Sequence, residues 1–226
     1  YIYGSVTKFL GMKPHEHEYK VMGLAPYAKA EDVDRIYQRI KDCLLLDPRN
    51  PLTFWMPVNA QDFGNYLKEK LFGVRFDHLA GAFQKLIEER VVEWVQSGIK
   101  VTGIDTVVVG GGVFMNVKVN QRIAAIKALK KFFILPSCAD ESAPLGCCYL
   151  GYRDYCLKIG QQCSVEPIRD IYWGPDVSRE SIKEIVTRIK RSKHLRLKRL
   201  KNPPQEIASL LVQGEVVARM AGRMEF

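Results

Sequence analysis

The sequence predicts an α/β fold, because strand and helix patterns alternate in its middle part. Residues 104–109 are rich in valine and predict a strand, residues 120–129 predict a helix, and residues 131–135 predict a second strand. A strongly amphipathic helix is predicted at 78–97, ahead of the first strand. Hydrophobic residues make up 47% of the 226 residues, which fits a packed globular protein.

The first third of the chain predicts short elements. Glycines and prolines within residues 1–30 predict turns. Residues 31–45 predict a helix, since their apolar side chains recur with a helical period. Residues 52–63 are predicted to be irregular or a short hairpin, and residues 65–71 a further helix.

Individual residues predict where the helix before the first strand ends and where the helix after the second strand begins. The helix at 78–97 is expected to end at Gly98, because glycine commonly terminates helices. After the second strand, residues 136–142 predict a loop that leads into another helix, and Asp140 and Ser142 suit the first turn of that helix.

The last part of the chain predicts a second set of elements. Ser178 is expected to cap a helix, and Pro203 to begin another that ends at Gly214. Residues 194–198 and 215–220 alternate between polar and apolar side chains and predict strands.

The composition and the cysteine pattern predict a cytoplasmic protein without a membrane-spanning helix. No apolar run reaches the ~18 residues of a membrane-spanning helix. The chain begins without a signal-peptide pattern and without an initiator Met, which suggests a fragment or a processed chain. None of the six cysteines forms a C-x-x-C pair, so we expect reduced thiols, no zinc knuckle and a cytoplasmic protein.

Positive charge is concentrated near the end of the sequence. The net charge is +9, and residues 183–201 hold nine Lys or Arg and one Glu, a local charge of +8. A general nucleic-acid surface would be less confined. We therefore favour a solvated basic face over a nucleic-acid site.

A glycine loop follows the first predicted strand. Gly110, Gly111 and Gly112 lie between the valines and Asn116, and a basic helical run comes next. Glycines allow positive φ and close approach to the backbone. A strand, a glycine turn and a helix start together predict an anion-binding corner. A glycine turn that binds nothing explains the same residues equally well.

Asp140 follows the second predicted strand. Ligands of open α/β sheets bind beyond the carboxyl ends of the strands. We therefore expect Asp140 and the glycine loop to converge, an arrangement that suits a nucleotide phosphate and a metal ion. The alternative role of Asp140 is a helix N-cap, which the local sequence slightly favours.

Four ordered blocks then identify a family resemblance. They are residues 18–27 (EYKVMGLAPY), 110–116 (GGGVFMN), 140–146 (DESAPLG) and 222–226 (GRMEF). Over nearly its whole length the chain resembles the ATP-dependent O-carbamoyltransferases of the nodulation-protein and cephamycin or tobramycin biosynthesis type.

The resemblance implies two domains. Residues 1–165 would be the later half of an actin-like ATPase fold of the sugar-kinase and Hsp70 class. Residues 166–226 would be a linker and the start of a second α/β domain, similar to the threonylcarbamoyl-adenylate synthases. The chain would then be an internal piece of a larger enzyme.

The resemblance also implies a two-step reaction. Carbamoyl phosphate and ATP, the latter with Mg²⁺, would give carbamoyl-adenylate in the second domain. The carbamoyl group would pass to a substrate hydroxyl in the first domain, beside a divalent ion expected to be Fe²⁺. The partners would be these small molecules, with no membrane and no nucleic acid, and a homodimer is one candidate assembly.

Site residues follow by motif match alone. Asp140 would be a metal ligand, and Arg223 would lie near the carbamoyl-phosphate site. The adenylate would be held by the loop residues Gly110, Gly111, Gly112 and Asn116. The same cleft would be lined by Glu18, Lys20 and Gly23. Asn116 could instead cap the helix that follows it.

The chain departs from the family pattern at three places. Ala28 replaces a usual Gly, so that turn is expected to differ, and Cys147 and Cys148 replace a usual Ala pair. The family's His-x-x-x-His metal pair is absent, and His15 and His17 do not have its spacing. We therefore expect these 226 residues alone not to transfer carbamoyl groups.

Two other functions fit the same motifs. The first is a tRNA threonylcarbamoyl-transfer type of enzyme, which the basic segment at 183–201 favours weakly. The second is a non-catalytic nucleotide-binding module, which the missing histidines would permit.

Overall fold

The structure is a computed structural model that describes residues 1–224. The chain divides into two compact units, Tyr1–Gln161 and Gln162–Phe226. The first unit contains α1 (Ile2–Phe9), α2 (Glu18–Leu24), α3 (Ala30–Ile40), β1 (Leu45–Asp47), β2 (Asn50–Trp55), α4 (Phe63–Leu71), α5 (Phe76–Thr102), β3 (Thr106–Val109), α6 (Val117–Ala124), β4 (Lys131–Ile134) and α7 (Ala143–Lys158). The second unit contains α8 (Arg179–Lys190) and α9 (Pro203–Val212).

Helix α5 organises the first unit. Its 27 residues contribute to two apolar cores, one at each end of the helix. The first core joins α5 to α1, α2, α3 and α4 through buried side chains that include Phe63, Phe83 and Leu86. The second core joins α5 to α6 and the β3–β4 sheet through Val91, Val95 and their partners.

The end of α5 differs from the sequence prediction. The helix continues through Gly98 to Thr102, so the prediction that Gly98 terminates it is wrong. Gly103 ends the helix instead, with a left-handed φ of 71° and an N–H that donates to the carbonyl oxygen of Ile99 at 2.8 Å. Glycine adopts this conformation without a steric penalty, whereas Gly98 keeps ordinary helical geometry.

The strands β3 and β4 are parallel neighbours, as the predicted α/β pattern requires. One face of the sheet packs on the second core through Val107, Val109 and the matching residues of β4. On the other face Val108 is 70% exposed and Phe133 is 49% exposed. A run of valines predicts a buried strand, and that prediction is wrong for this face.

The remaining strands form a hairpin. β1 and β2 pair antiparallel, so a hairpin exists but lies earlier than the predicted region 52–63. The helix predicted at 31–45 ends as α3 at Ile40, and the chain then makes a short 3₁₀ turn into β1. A mixed α/β fold is thus confirmed. Across residues 1–224 no helix combines the length and apolar character needed to cross a bilayer.

The second unit confirms two predictions and contradicts two. Ser178 caps α8, since its Oγ accepts the Ser181 N–H at 3.0 Å, and α9 begins at Pro203 as expected. Residues 194–198 and 215–220 do not form strands. The only sheets within the described residues are the two pairs of the first unit, so neither segment has a strand to pair with, and a single strand is not stable alone.

Gly81 marks a close approach between α5 and the segment that leads into α3. A Cβ at this position would lie 2.6 Å from Val33 Cγ2 and 3.4 Å from the Ala28 Cβ. Ala28 itself has φ −83° and ψ 142°, a conformation open to any residue, so its replacement of glycine requires no unusual backbone. The missing side chain of Gly81 is what lets α5 pack against this segment.

We predict that Gly81→Ala lowers the free energy of unfolding by about 1–3 kcal/mol, because the added methyl group overpacks the contact with Val33. Gly98→Ala is the matched control, since a Cβ there meets nothing within 4 Å. That change should raise the free energy of unfolding by roughly 0.5–1 kcal/mol. Urea denaturation measures both, and a Gly81→Ala protein as stable as Gly98→Ala would contradict the packing argument.

The ionisation of Asp77 makes the stability of the fold depend on pH. Its buried carboxylate accepts two hydrogen bonds from Arg75, at 2.6 and 2.9 Å, and His78 lies between it and Asp32. The bonds from Arg75 lower the pKa of Asp77 from 3.8 to about 2. Because the folded-state pKa is depressed, the contribution is fully present above pH 4 and is lost as the pH falls through about 2.

We expect Asp77→Asn to flatten this part of the stability profile. Urea midpoints measured from pH 5 down to pH 2 should fall more steeply for the wild-type protein than for the variant. Asp34→Asn is a suitable control, because Asp34 pairs with Lys85 at an exposed position. Parallel profiles for the wild type and Asp77→Asn would show that the ion pair does not govern acid stability.

Candidate functional site

The two loops that follow β3 and β4 meet at one edge of the sheet. The Gly111 N–H donates to the carbonyl oxygen of Cys138 at 2.7 Å, and the Cys138 thiol lies 3.6 Å from the Gly111 carbonyl oxygen. Asp140 is only two residues beyond Cys138, a chain distance of at most about 7 Å. The predicted convergence of the glycine loop with the Asp140 segment is confirmed.

The glycines leave room in front of the loop backbone. Gly111 has φ 98° and ψ 159°, a combination that is essentially restricted to glycine. A Cβ built on Gly110, Gly111 or Gly112 would meet nothing within 4 Å. The loop thus offers exposed backbone with open space above it, which suits a phosphate group.

The helix that follows does not begin at the glycines. A 3₁₀ turn, Gly112–Met115, intervenes and buries Phe114 in the second core. Asn116 then caps α6, because its Oδ1 accepts the N–H groups of Lys118 and Val119, both at 3.2 Å. The expectation that the helix N-terminus offers free N–H groups directly behind the glycines is therefore wrong, and an anion here would contact loop amides instead.

Asn116 also pairs with a residue that the sequence analysis missed. Gln84 of α5 donates from Nε2 to Asn116 Oδ1 at 3.1 Å, and Asn116 donates from Nδ2 to Gln84 Oε1 at 2.9 Å. The helix-cap role of Asn116 is confirmed, whereas its contact with an adenylate stays a prediction. The available signal was a glutamine within the apolar face of the predicted helix at 78–97, since a buried amide needs partners.

Asp140 lies in the 3₁₀ turn Asp140–Ser142 and is exposed. Ser142 occupies the N-cap position of α7. No side chain makes a capping hydrogen bond to the 3₁₀ turn or to α7, so the N-cap interpretation of Asp140 is wrong. Within residues 1–224 its carboxylate has no hydrogen bond or ion pair. The carboxylate is therefore available to a ligand.

The residues beside Asp140 hold the loop in an unusual conformation. Ser137 has φ 55°, in the left-handed region that non-glycine residues rarely adopt. Its Oγ donates to Glu141 Oε1 at 2.5 Å, and this bond lowers the pKa of Glu141. The loop after β4 is thus fixed by Ser137, Glu141 and the Cys138 contact.

The donor set does not fit a protein-only iron site. No group of three His, Cys, Asp or Glu side chains is placed to hold a metal anywhere in the described chain. Asp140 alone supplies one oxygen donor group, whereas Fe²⁺ sites need several protein ligands. Mg²⁺ is different, because it is commonly bound by one or two carboxylates together with substrate phosphates.

Glu18 lies at the start of α2, next to α1. Its Oε1 accepts the His15 N–H at 2.7 Å and would lie 3.4 Å from a Cβ on Gly4. Burial, and to a smaller extent the charges of Glu88 and Glu18, raise the pKa of Tyr3. The structure thus brings Glu18 near Tyr3, and the Tyr3 hydroxyl donates a hydrogen bond to Gln84, which pairs with Asn116.

Three further predicted site residues have contacts of their own. Lys20 lies over the Tyr19 ring, 5.8 Å from its centroid, and Gly23 is an exposed residue of α2. Arg223 belongs to the second unit, where it donates to the carbonyl oxygens of Trp173 and Gly174 at 3.0 and 2.9 Å. Their predicted roles stay predictions.

We predict that Gly111→Ala lowers the free energy of unfolding by roughly 1–3 kcal/mol, because a Cβ strains the backbone at φ 98°. Gly112→Ala is the matched control, since Gly112 has no positive φ and has open space around it. It should change the same quantity by no more than about 0.5 kcal/mol. Equal melting temperatures for the two variants would refute the assigned loop conformation.

Comparison with known proteins gives the family. The sequence profile described as "Carbamoyltransferase N-terminus" matches residues 1–148. Nodulation protein NolNO of Sinorhizobium fredii is 25% identical over the whole chain, and nodulation protein NolO of Bradyrhizobium diazoefficiens is 26% identical over 99% of it. An uncharacterized protein of Methanocaldococcus jannaschii is 24% identical over the whole chain.

The chain spans 32–42% of the length of the curated relatives it matches. The family profile, in contrast, covers well over half of the chain itself. This match shows that the chain belongs to the carbamoyltransferase family and carries its N-terminal domain sequence.

Proposed function

We propose that this chain holds the nucleotide in an ATP-dependent transfer of a carbamoyl group to a hydroxyl. The observation that carries the proposal is the open backbone at Gly110, Gly111 and Gly112, beside an unpaired Asp140 at the carboxyl edge of β3 and β4. That edge is where α/β sheets bind ligands. Family membership supports the carbamoyl group as the one transferred.

In this proposal the loop binds phosphate and Asp140 binds the accompanying metal ion. The loop amides that are not already bonded bind phosphate oxygens, since the Gly111 N–H is taken by the Cys138 carbonyl oxygen. The absence of side chains on the glycines permits the close approach. The Asp140 carboxylate lies beside them, where it contributes to binding the Mg²⁺ that accompanies ATP. Glu18 would border the same cleft.

The proposed chemistry has two steps. In the first, water cleaves carbamoyl phosphate to carbamate and inorganic phosphate, and a carbamate oxygen attacks the α-phosphorus of ATP, which gives carbamoyl-adenylate and releases pyrophosphate. The hydroxyl oxygen of the acceptor then attacks the carbamoyl carbon, the bond from that carbon to the adenylate oxygen breaks, and AMP leaves. A loop that binds the adenylate favours this step by fixing the leaving group relative to the acceptor. The described residues supply no Fe²⁺ site, so we assign no step to that ion.

The domain assignment is part of the same proposal. Parallel neighbours β3 and β4, with ligand loops at one edge, are compatible with half of an actin-like ATPase domain. The second unit would begin a carbamoyl-adenylate-forming domain, with Arg223 near carbamoyl phosphate. The complete activity would belong to the full-length protein, as would the choice of hydroxyl acceptor.

We predict that Gly112→Ala weakens binding of Mg²⁺–ATP to the full-length protein by about tenfold or more, ~1.4 kcal/mol. The added methyl group would occupy the space that a phosphate needs, while the fold stays intact. Isothermal titration calorimetry measures the affinity. Gly98→Ala, a glycine change on α5 and outside the loop, is the control and should leave the affinity unchanged.

The reaction itself is tested with the full-length protein, carbamoyl phosphate and Mg²⁺–ATP. We expect carbamoyl-phosphate-dependent release of pyrophosphate, which does not require knowledge of the acceptor. Unaltered ATP affinity in Gly112→Ala would place the nucleotide elsewhere. No pyrophosphate above a control without carbamoyl phosphate would reject the proposed adenylation.

A further inference from the structure

Gln84 is a buried polar residue whose amide is fully used. Only 5% of the residue is exposed, and it lies within the apolar face of α5. Its Oε1 accepts from Tyr3 Oη at 2.7 Å and from Asn116 Nδ2 at 2.9 Å. Its Nε2 donates to Glu88 Oε1 at 2.8 Å and to Asn116 Oδ1 at 3.1 Å. These four bonds satisfy both lone pairs and both hydrogens of the side-chain amide.

The orientation of this amide pair is determined by its surroundings. Asn116 Oδ1 faces two backbone N–H groups, of Lys118 and Val119, which can only donate, so this atom must be the oxygen. The Glu88 carboxylate can only accept when ionised, so the nearer atom of Gln84 must be nitrogen. Neither amide can flip without leaving buried groups unpaired, which is costly.

The pair fixes one end of the glycine loop. Asn116 is the last residue of the loop, and Gln84 ties it to the long helix α5. The other end is held by the contact between Gly111 and Cys138, and the middle by burial of Phe114. The exposed residues between these points, Gly112, Val113 and Met115, therefore have little freedom.

We propose that Gln84 is a positioning residue for the nucleotide loop: it acts through Asn116 and sets the arrangement of the loop backbone before ligand binds. This proposal rests on the proposed function, because it assumes that the loop binds ATP. A loop held in its bound arrangement binds more tightly than a mobile one, since less freedom is lost on binding.

The first experiment compares two variants of the full-length protein. Gln84→Met preserves the side-chain length but removes both hydrogen-bonding groups, so Asn116 loses its partner. Tyr3→Phe is the comparison variant: it removes the bond from Tyr3 to the same Gln84 oxygen and the contact of Tyr3 with Asn116, but it leaves both bonds between Gln84 and Asn116 in place. At a temperature where both are fully folded, we expect Gln84→Met to weaken ATP binding roughly 10- to 100-fold and Tyr3→Phe by less than about threefold.

The second measurement does not involve the nucleotide. Hydrogen–deuterium exchange of the unliganded protein should speed up at residues 112–119 in Gln84→Met and stay at the wild-type rate in Tyr3→Phe. Unchanged exchange in Gln84→Met would overturn the positioning role, whether or not ATP binds. Faster exchange in a protein whose wild type binds no ATP would support the loop anchor and reject the proposed function.

A double-mutant cycle tests the route through Asn116. If Gln84 acts only by positioning Asn116, the loss of ATP affinity caused by Gln84→Met should be absent in an Asn116→Ala background. Additive losses would overturn the proposal.

Should Gln84→Met not fold, Gln84→Glu replaces it, because a carboxylate keeps both acceptor bonds and loses both donor bonds. ATP affinity within twofold of wild type in a folded Gln84→Glu protein would contradict the proposal.

Discussion

Burial of the apolar face of α5 is the interaction on which the first unit depends. The helix is long enough to take part in two cores, one built with α1 to α4 and one built with α6 and the β3–β4 sheet. Burying a large side chain such as Phe83 or Leu86 stabilises the fold by about 1.5–3 kcal/mol each. Every element that carries a predicted site residue in this unit is therefore positioned, directly or through one neighbour, by this helix.

The same helix connects packing to the candidate site. Phe83 and Leu86 lie in the first core, and Gln84 between them points its amide to Asn116. A buried amide is tolerated only when its hydrogen bonds are made. The apolar neighbours thus strengthen the polar contact by excluding water, and the polar contact in turn determines which way the loop leaves the core.

Patterns within a few residues of each other were predictable from sequence. The alternation of strand and helix, the Ser178 cap and the meeting of two loops at one sheet edge all follow from local periodicity and from the geometry of parallel strands. Gly98 and Gly103 show the limit, since two glycines five residues apart look alike until the backbone shows which of them has a positive φ. Residues 194–198 show a second limit, because an alternating pattern forms a strand only beside a partner.

The site was predictable to the same degree. The position of the glycines and Asp140 at one edge followed from the strand order, but the capping of α6 by Asn116 competes with the anion site that the motif suggested. The bond between Gln84 and Asn116 spans 32 positions and has no local signature.

The exposed face of the β3–β4 sheet has a consequence for handling the protein. Parallel sheets are almost always covered on both faces, and two strands are fewer than a stable sheet usually needs. Within the described residues, Val108 and Phe133 remain open to solvent and each strand has a free edge. Such an edge accepts a strand from another molecule. These 226 residues in isolation should therefore self-associate as their concentration rises, with the valine strand as the contact.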